Sequence, residues 1–517
     1  MMKTCVLASA AAVAFTAGLA HAQIQVIYTN IAGAPGNVVP GLSNGWSAGT
    51  TTRFDRVYRS GTGAFWVLGG FANEAVTADR VVVRGSGPTR TGAILIVQEG
   101  TLAPFDAAYT YSFFEQQLAV NDAGEVAFIN DMTTLTAADE VMVVHNSDGT
   151  FQRVAYRETE AAPGFDVGVN IGAQIESAGL TSDGRAAAEV QLAGTGITTG
   201  NDFAIIVGNG YGSANILGRE GTPVGSGIGP LAPAQAFDDD DFAIDATASN
   251  FLYSGDDNAA SSDSYVVYNN AVVLRENSPV APGGPVAGTN PFRRSVLSGN
   301  GEHWLVRGIS STAAPSTNDD DWVVRNGVVV ARGLNPITPA NPTAELFDDA
   351  TFGDLFFSIA VNNNGDYVIG GVTNSTDINA NAVLVLNGER VIAREGDPVD
   401  VNEDGDPSND NAFIAVFNDD DAVLGDDLNY YFMANLRDGL GTVIGQAFLV
   451  IDLNPDTGTC PVCPADFDQD GGVTGADVES FFLAFEAGDP CGDTDLDGGV
   501  TGADVEAFFL AFEAGGC

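Results

Sequence analysis

Residues 356–393 read FFSIAVNNNGDYVIGGVTNSTDINANAVLVLNGERVIA, and the fold follows from their rhythm. Phe356 to Val361 is apolar. A polar turn, Asn362-Asn363-Asn364-Gly365, leads into Tyr367-Val368-Ile369. Ala382 to Leu386 is apolar again, and the turn Asn387-Gly388 leads into Val391-Ile392-Ala393. Asn and Gly suit both turns because hairpins need positive φ. Nothing in the stretch has helical periodicity, so it predicts four short antiparallel strands in about sixty residues.

Working outward, the same unit recurs. A strand ending in Arg-Glu-Gly or a relative appears at Gln98-Glu99-Gly100, Arg157-Glu158, Arg219-Glu220-Gly221, Arg275-Glu276, Arg332-Gly333 and Arg394-Glu395-Gly396, at intervals of 59, 62, 56, 57 and 62. A proline follows (Pro104, Pro163, Pro223, Pro279, Pro336, Pro398). The polar turn occurs seven times, starting at Ser60, Asn121, Thr181, Thr247, Ser298, Asn362 and Leu424. Four strands in each of seven repeats predict an all-β fold, a seven-bladed β-propeller. A β-solenoid or two β-sandwiches are the competing architectures. Ile24 to Tyr28 precedes the first full unit, and the last unit ends at Phe448-Leu449-Val450-Ile451 without its final strand. The N-terminal strand is therefore expected to complete the last blade and remove an open edge.

Composition agrees. Gly reaches 63 and charged residues only 17%, a balance that favours strands and tight turns. Residues 1–22 read as a signal peptide: Lys3, the apolar run Val6 to Leu19, and the small-x-small site Ala20-His21-Ala22. The run is short for a membrane span, and no later segment is long enough, so a transmembrane segment is not expected. The expected location is extracellular or at the cell surface. Net charge is −48, and Lys3 is the only lysine, which argues against nucleic acid as a partner and excludes lysine Schiff-base chemistry after export.

The C-terminus differs in kind. Residues 23–453 form the repeat body, 454–464 a linker, and 465–517 two near-identical segments 27 residues apart. Calcium takes six to eight oxygens, and a twelve-residue loop supplies them from positions 1, 3, 5, 7, 9 and 12. In the first loop these are Asp466, Asp468, Asp470, Gly472, Thr474 and Asp477; in the second, Asp493, Asp495, Asp497, Gly499, Thr501 and Asp504. Gly471 and Gly498 at position 6 permit the sharp turn. A helix is expected after each loop, with Val478, Phe481, Phe482 and Phe485 on one apolar face and Val505, Phe508, Phe509 and Phe512 on the other, the two faces packing together. Cys460, Cys463, Cys491 and Cys517 cluster here, which suggests two disulfides with three pairings open.

Two such loops, each followed by one helix and ending in Asp, resemble a type I dockerin. The cysteines and the terminal Gly516-Cys517 resemble the variant at the C-termini of exported planctomycete proteins. The resemblance covers residues 460 to 517 and implies calcium as cofactor and a cohesin-like or cell-envelope protein as partner. Loop positions 10 and 11, which often help choose a cohesin, are Gly475-Ala476 and Gly502-Ala503, so anchoring or sorting to a surface is an equal reading.

Candidate sites in the body are fewer. Asp400-Val-Asn402-Glu-Asp404-Gly405-Asp406, with Ser408 at position 9, has calcium spacing, against an acidic loop without metal. The runs Asp238 to Asp241, Asp319 to Asp321, Asp348-Asp349 and Asp419 to Asp421 read as solvated faces in preference to catalytic pairs. His145 and His303 read as structural, as do the recurring Arg-Glu pairs. No nucleophile elbow, zinc helix or phosphate loop occurs. The sequence therefore points to an exported, non-enzymatic binding or structural protein, with a polysaccharide or protein ligand on the propeller. The competing class is a dockerin-borne carbohydrate-active enzyme.

Overall fold

The structure, a computed structural model, describes residues 24–49, 53–133, 139–209, 213–223, 226–227, 234–237, 242–257, 263–310, 321–339, 345–348, 355–454, 463–467, 473–487, 490–492, 494 and 501–515. The strands form seven separate sheets, one per repeat, which are the blades of a seven-bladed β-propeller. Blade 6 is the stretch quoted above: Phe356–Val361, Tyr367–Val372, Ala382–Leu386 and Arg390–Arg394, paired in that order. Blade 4 departs from the four-strand plan. Its first strand is split into Ala234–Phe237 and Ala243–Ile244, both on Phe251–Asp257, and Ser226–Gly227 adds in parallel to Ala271–Arg275.

The N-terminal strand closes the ring as expected. Ile24–Thr29 pairs antiparallel with Val443–Asp452, the third strand of blade 7, with Ile24 opposite Ile451 and Tyr28 opposite Phe448. That edge would otherwise expose a row of unpaired amides and carbonyls.

The continuous apolar runs in the inner and middle strands follow from burial on both faces. In Glu140–His145, Val141 and Val143 point into the cluster shared with blade 1. Met142 and Val144 point into the cluster shared with blade 3. Each of the seven interfaces between blades has its own core of this kind.

The Arg-Glu anchors are structural, but Arg and Glu serve different partners. Glu158 accepts from Asp139 N at 3.1 Å, and Glu220 accepts from Asp202 N and Phe203 N at 3.1 and 3.0 Å, holding the start of the third strand. The arginines reach acids elsewhere: Arg275 meets Asp257 at 2.6 Å, both buried, and Arg394 grips Glu345 through two bonds of 2.8 and 2.7 Å. His145 is buried, with Nδ1 3.0 Å from Gly149 O, in keeping with a structural role.

In the C-terminal segment two helices are described, α1 (Gly475–Ala487) and α2 (Gly502–Glu513). Their apolar faces meet as expected: the Phe481 and Phe508 rings stack 4.1 Å apart at 4° and are fully buried. Val478, Phe482, Phe485, Val505, Phe509 and Phe512 surround them.

Candidate functional site

The propeller encloses a lumen of about 200 Å³ on its axis, walled by the first strand of every blade. These strands pair on one side only, so their other backbone edge faces the lumen. All seven carry a bulge. Between Phe417↔Ala434 and Ala422↔Phe432 the inner strand of blade 7 has three more residues than its partner; between Phe356↔Gly371 and Ser358↔Gly370 blade 6 has one more. Bulges bend a strand and re-aim its side chains, here at the rim of the lumen.

The opposite end is sealed by the seven polar turns. Asp426 N donates to Thr62 O at 2.9 Å, and Thr62 N and Oγ1 donate to Asp122 Oδ1 at 2.9 and 2.7 Å. Asn121 Nδ2 donates to Thr181 O at 3.0 Å, Ser182 N to Ala246 O at 2.8 Å, and Ala246 N to Gly299 O at 2.8 Å. Asn300 N donates to Asn363 Oδ1 at 2.6 Å, and Asn363 N to Asp426 Oδ1 at 2.9 Å, completing the circle. The turn of blade 1 fills the centre. A Cβ on Gly299 would lie 1.8 Å from Gly61 O, so turns from distant blades touch. Arg59 pins this plug, donating to Ser60 O, Gly61 O and Val361 O at 3.1, 2.8 and 2.9 Å. Burial pulls its guanidinium below the usual range, partly offset by Asp426 and Asp122. Burial also pushes Asp122 up, but donors from Thr62 and Ser60 outweigh it and leave the carboxyl below its ordinary value.

In the acidic run of blade 7, Asp419 is exposed as expected, but Asp420 is not. Asp420 sits in the bulge with φ +55°, and its side chain is only 14% exposed. It reaches past blade 6 to Arg307 of blade 5, which donates through Nη2 at 2.7 Å and Nε at 3.3 Å. Arg307 Nη1 also donates to Phe356 O at 2.6 Å. Asp321 is likewise buried and accepts from Leu355 N at 3.2 Å. The sequence offered one signal for this placement: three consecutive acids inside an otherwise apolar strand pattern. Asp238 to Asp241, Asp319, Asp320 and Asp349 lie outside the described residues.

Five of the twelve loop positions are described in the C-terminal segment: Asp466, Thr474, Asp477, Thr501 and Asp504. Asp468, Asp470, Gly472, Asp493, Asp495, Asp497 and Gly499 lie outside the described residues, as do Cys460, Cys517 and residues 1–22. Asp477 and Asp504, at position 12 of each loop, are fully buried. Thr474 N donates to Asp477 Oδ2 at 2.6 Å, and Thr501 N to Asp504 Oδ2 at 2.7 Å, so one cap is built twice. On α2 it is a complete capping box, with Thr501 as N-cap and Asp504 at N3. Phe467 at position 2 of the first loop was not singled out from sequence, yet it packs edge-on against Phe481 at 5.5 Å and so ties loop to core. Among the described residues no group of three or more His, Cys, Asp or Glu is arranged to hold a metal. In the Asp400 loop the carboxylates turn onto their own backbone: Asp400 Oδ2 accepts from Gly405 N at 2.7 Å and Asp404 Oδ1 from Asp406 N at 2.9 Å. No helix among the described residues is long and apolar enough to cross a membrane.

The chain belongs to a family of unknown function, DUF7453, whose model matches residues 13–418. No curated protein matches it. Similar solved structures include hydrazine synthase of Kuenenia stuttgartiensis (11% identity, 80% of this chain and 100% of that one, TM-score 0.38). The β-propeller domain of the Trilobed protease of Pyrococcus furiosus is another (11%, 64% and 82%, TM-score 0.34). A third is an oligogalacturonate lyase in complex with manganese (10%, 84% and 99%, TM-score 0.37). Likeness at this level bears on neither substrate nor mechanism.

Proposed function

We propose that the chain is an exported binding protein. Its propeller takes a ligand at the rim of the lumen, and its C-terminal module, dockerin-like, holds calcium and docks the body to a cohesin-like or cell-envelope partner. The observation that carries the docking half is the duplication: two loops 27 residues apart whose position-12 carboxylates, Asp477 and Asp504, are both buried beside a stacked Phe pair. A donor set of carboxylate, carbonyl and hydroxyl oxygens at this spacing suits a hard cation. Asp466, Asp468, Asp470, Gly472, Thr474 and Asp477 would hold one ion, and Asp493, Asp495, Asp497, Gly499, Thr501 and Asp504 the other. Calcium would supply positive charge that offsets four aspartates per loop. The four tail cysteines would close as two disulfides; Cys491 already packs against the Phe cluster.

For the body, binding is favoured over hydrolysis because Asp122 and Asp420, the acids lining the lumen among the described residues, are engaged by Thr62 and Arg307. A glycosidase needs two carboxyls at work on one bond. The test uses the full chain and an envelope fraction of the producing cells. Retention in calcium, release by chelator, and loss in an Asp477→Ala/Asp504→Ala variant are expected. Retention that ignores both chelator and variant contradicts the docking half, and turnover of a glycoside contradicts the non-enzymatic half.

A further inference from the structure

The lumen has three properties that together select a ligand. It is closed at the turn end by the hydrogen-bonded circle and the Arg59 plug, so entry is from the bulged rim. Its wall is backbone edge with apolar side chains between, and a strand edge carries both N–H donors and C=O acceptors. And among the described lining residues the charges balance, two arginines against two aspartates, each already engaged. Arg59 spends its donors on three carbonyls, Asp122 is taken by Thr62, Asp420 is taken by Arg307, and Arg294 is engaged within the protein. A charged ligand would lose its hydration and would have to compete with these partners for a counter-charge, which is costly.

The geometry points to a neutral, hydroxyl-bearing ring as the ligand: one pyranose, free or at the end of a glycan chain, seated in the lumen. Hydroxyls donate and accept at once, which matches a wall of strand edges, and the C–H faces of the ring match the apolar band. At about 200 Å³ the lumen is smaller than the roughly 300–1,000 Å³ of pockets that bury drug-sized ligands, which limits it to a single ring. This inference rests on the reading of the body as a binding protein.

The test is calorimetric titration of the full chain with D-glucose, D-galactose, D-mannose and N-acetyl-D-glucosamine. D-Glucuronate and D-glucosamine serve as charged counterparts, and a neutral trisaccharide of each sugar separates a free ligand from a chain end. At least one neutral sugar should bind, at least tenfold more tightly than the charged forms. Two lumen-filling variants from different blades, Gln117→Trp and Ala243→Trp, should each weaken that binding at least tenfold; whichever keeps the wild-type circular dichroism and unfolding midpoint decides. Binding undiminished in a folded variant overturns the lumen as the site and leaves the loop face as the binding surface. Equal binding of charged sugars overturns the ligand class. No binding of any sugar overturns this inference, while docking through the tail is read separately in the envelope assay.

Discussion

At the residue scale, single contacts hold the lumen's two ends. Gly299 is glycine because a Cβ there would meet the Gly61 carbonyl at 1.8 Å. Gly299→Ala should therefore cost about 1–3 kcal/mol by overpacking, whereas Gly200→Ala, with open space around it, should stay within about 0.5 kcal/mol. Denaturant unfolding of the two variants checks this. At the rim, Asp420→Ala strands Arg307 in a largely buried site and should cost about 3 kcal/mol, part of which returns in the Asp420→Ala/Arg307→Met double variant. The anchor glutamates set a pH dependence. Burial, with Asp202 alongside, pushes Glu220 up to about 7, and burial pushes Glu395 to about 7, from an ordinary value of about 4.5. The folded state thus binds these protons more tightly than the unfolded one. Their contribution is complete below about pH 4.5 and lost as pH rises through about 7. Unfolding midpoints should therefore fall between pH 5 and 8 from this source, and Glu220→Gln with Glu395→Gln should flatten the slope.

At the element scale, the legible features were those with a period. Blade 6 could be read strand by strand because Asn362–Gly365 and Asn387-Gly388 announce its hairpins, and Gly365 and Asn387 do adopt positive φ. Blade 4 was harder to read: its inner strand is broken in two, and two dipeptide strands carry no pattern. Asp420 departs from the solvated face expected of its acidic run for a related reason. A bulge interrupts the period-two alternation, so sequence spacing stops reporting which way a side chain points. In the tail, the helix faces were legible from i, i+3, i+4 spacing, but Phe467 was not, because it lies in a loop with no period. Phe508→Ala removes the fully buried partner of Phe481 and should cost about 3–5 kcal/mol to that pair of helices. Loss of the 222 nm signal at lower temperature reports it, since the described body is otherwise strand.

At the scale of the whole molecule, the ring is one closed object made from linear repeats. Each neighbouring pair of blades shares one core, and the N-terminal strand makes the last of them continuous with the first. A chain lacking residues 24–29 should expose the Val443–Asp452 edge, unfold at lower temperature and self-associate in sedimentation, where the full chain does not. Charge enters at this scale as well. With a net −48, the molecule gains from any cation it can hold at a defined place, and the duplicated loops are where its acids are spaced for that.

Calcium uptake by those loops is what the proposed docking requires. Calorimetric titration of calcium into the chelator-stripped full chain, followed by circular dichroism at 222 nm, should show at least two ions bound with a gain of helical signal. The Asp477→Ala/Asp504→Ala variant should lose two ions and the gain. No calcium uptake, or a helical signal indifferent to both calcium and the variant, would contradict it.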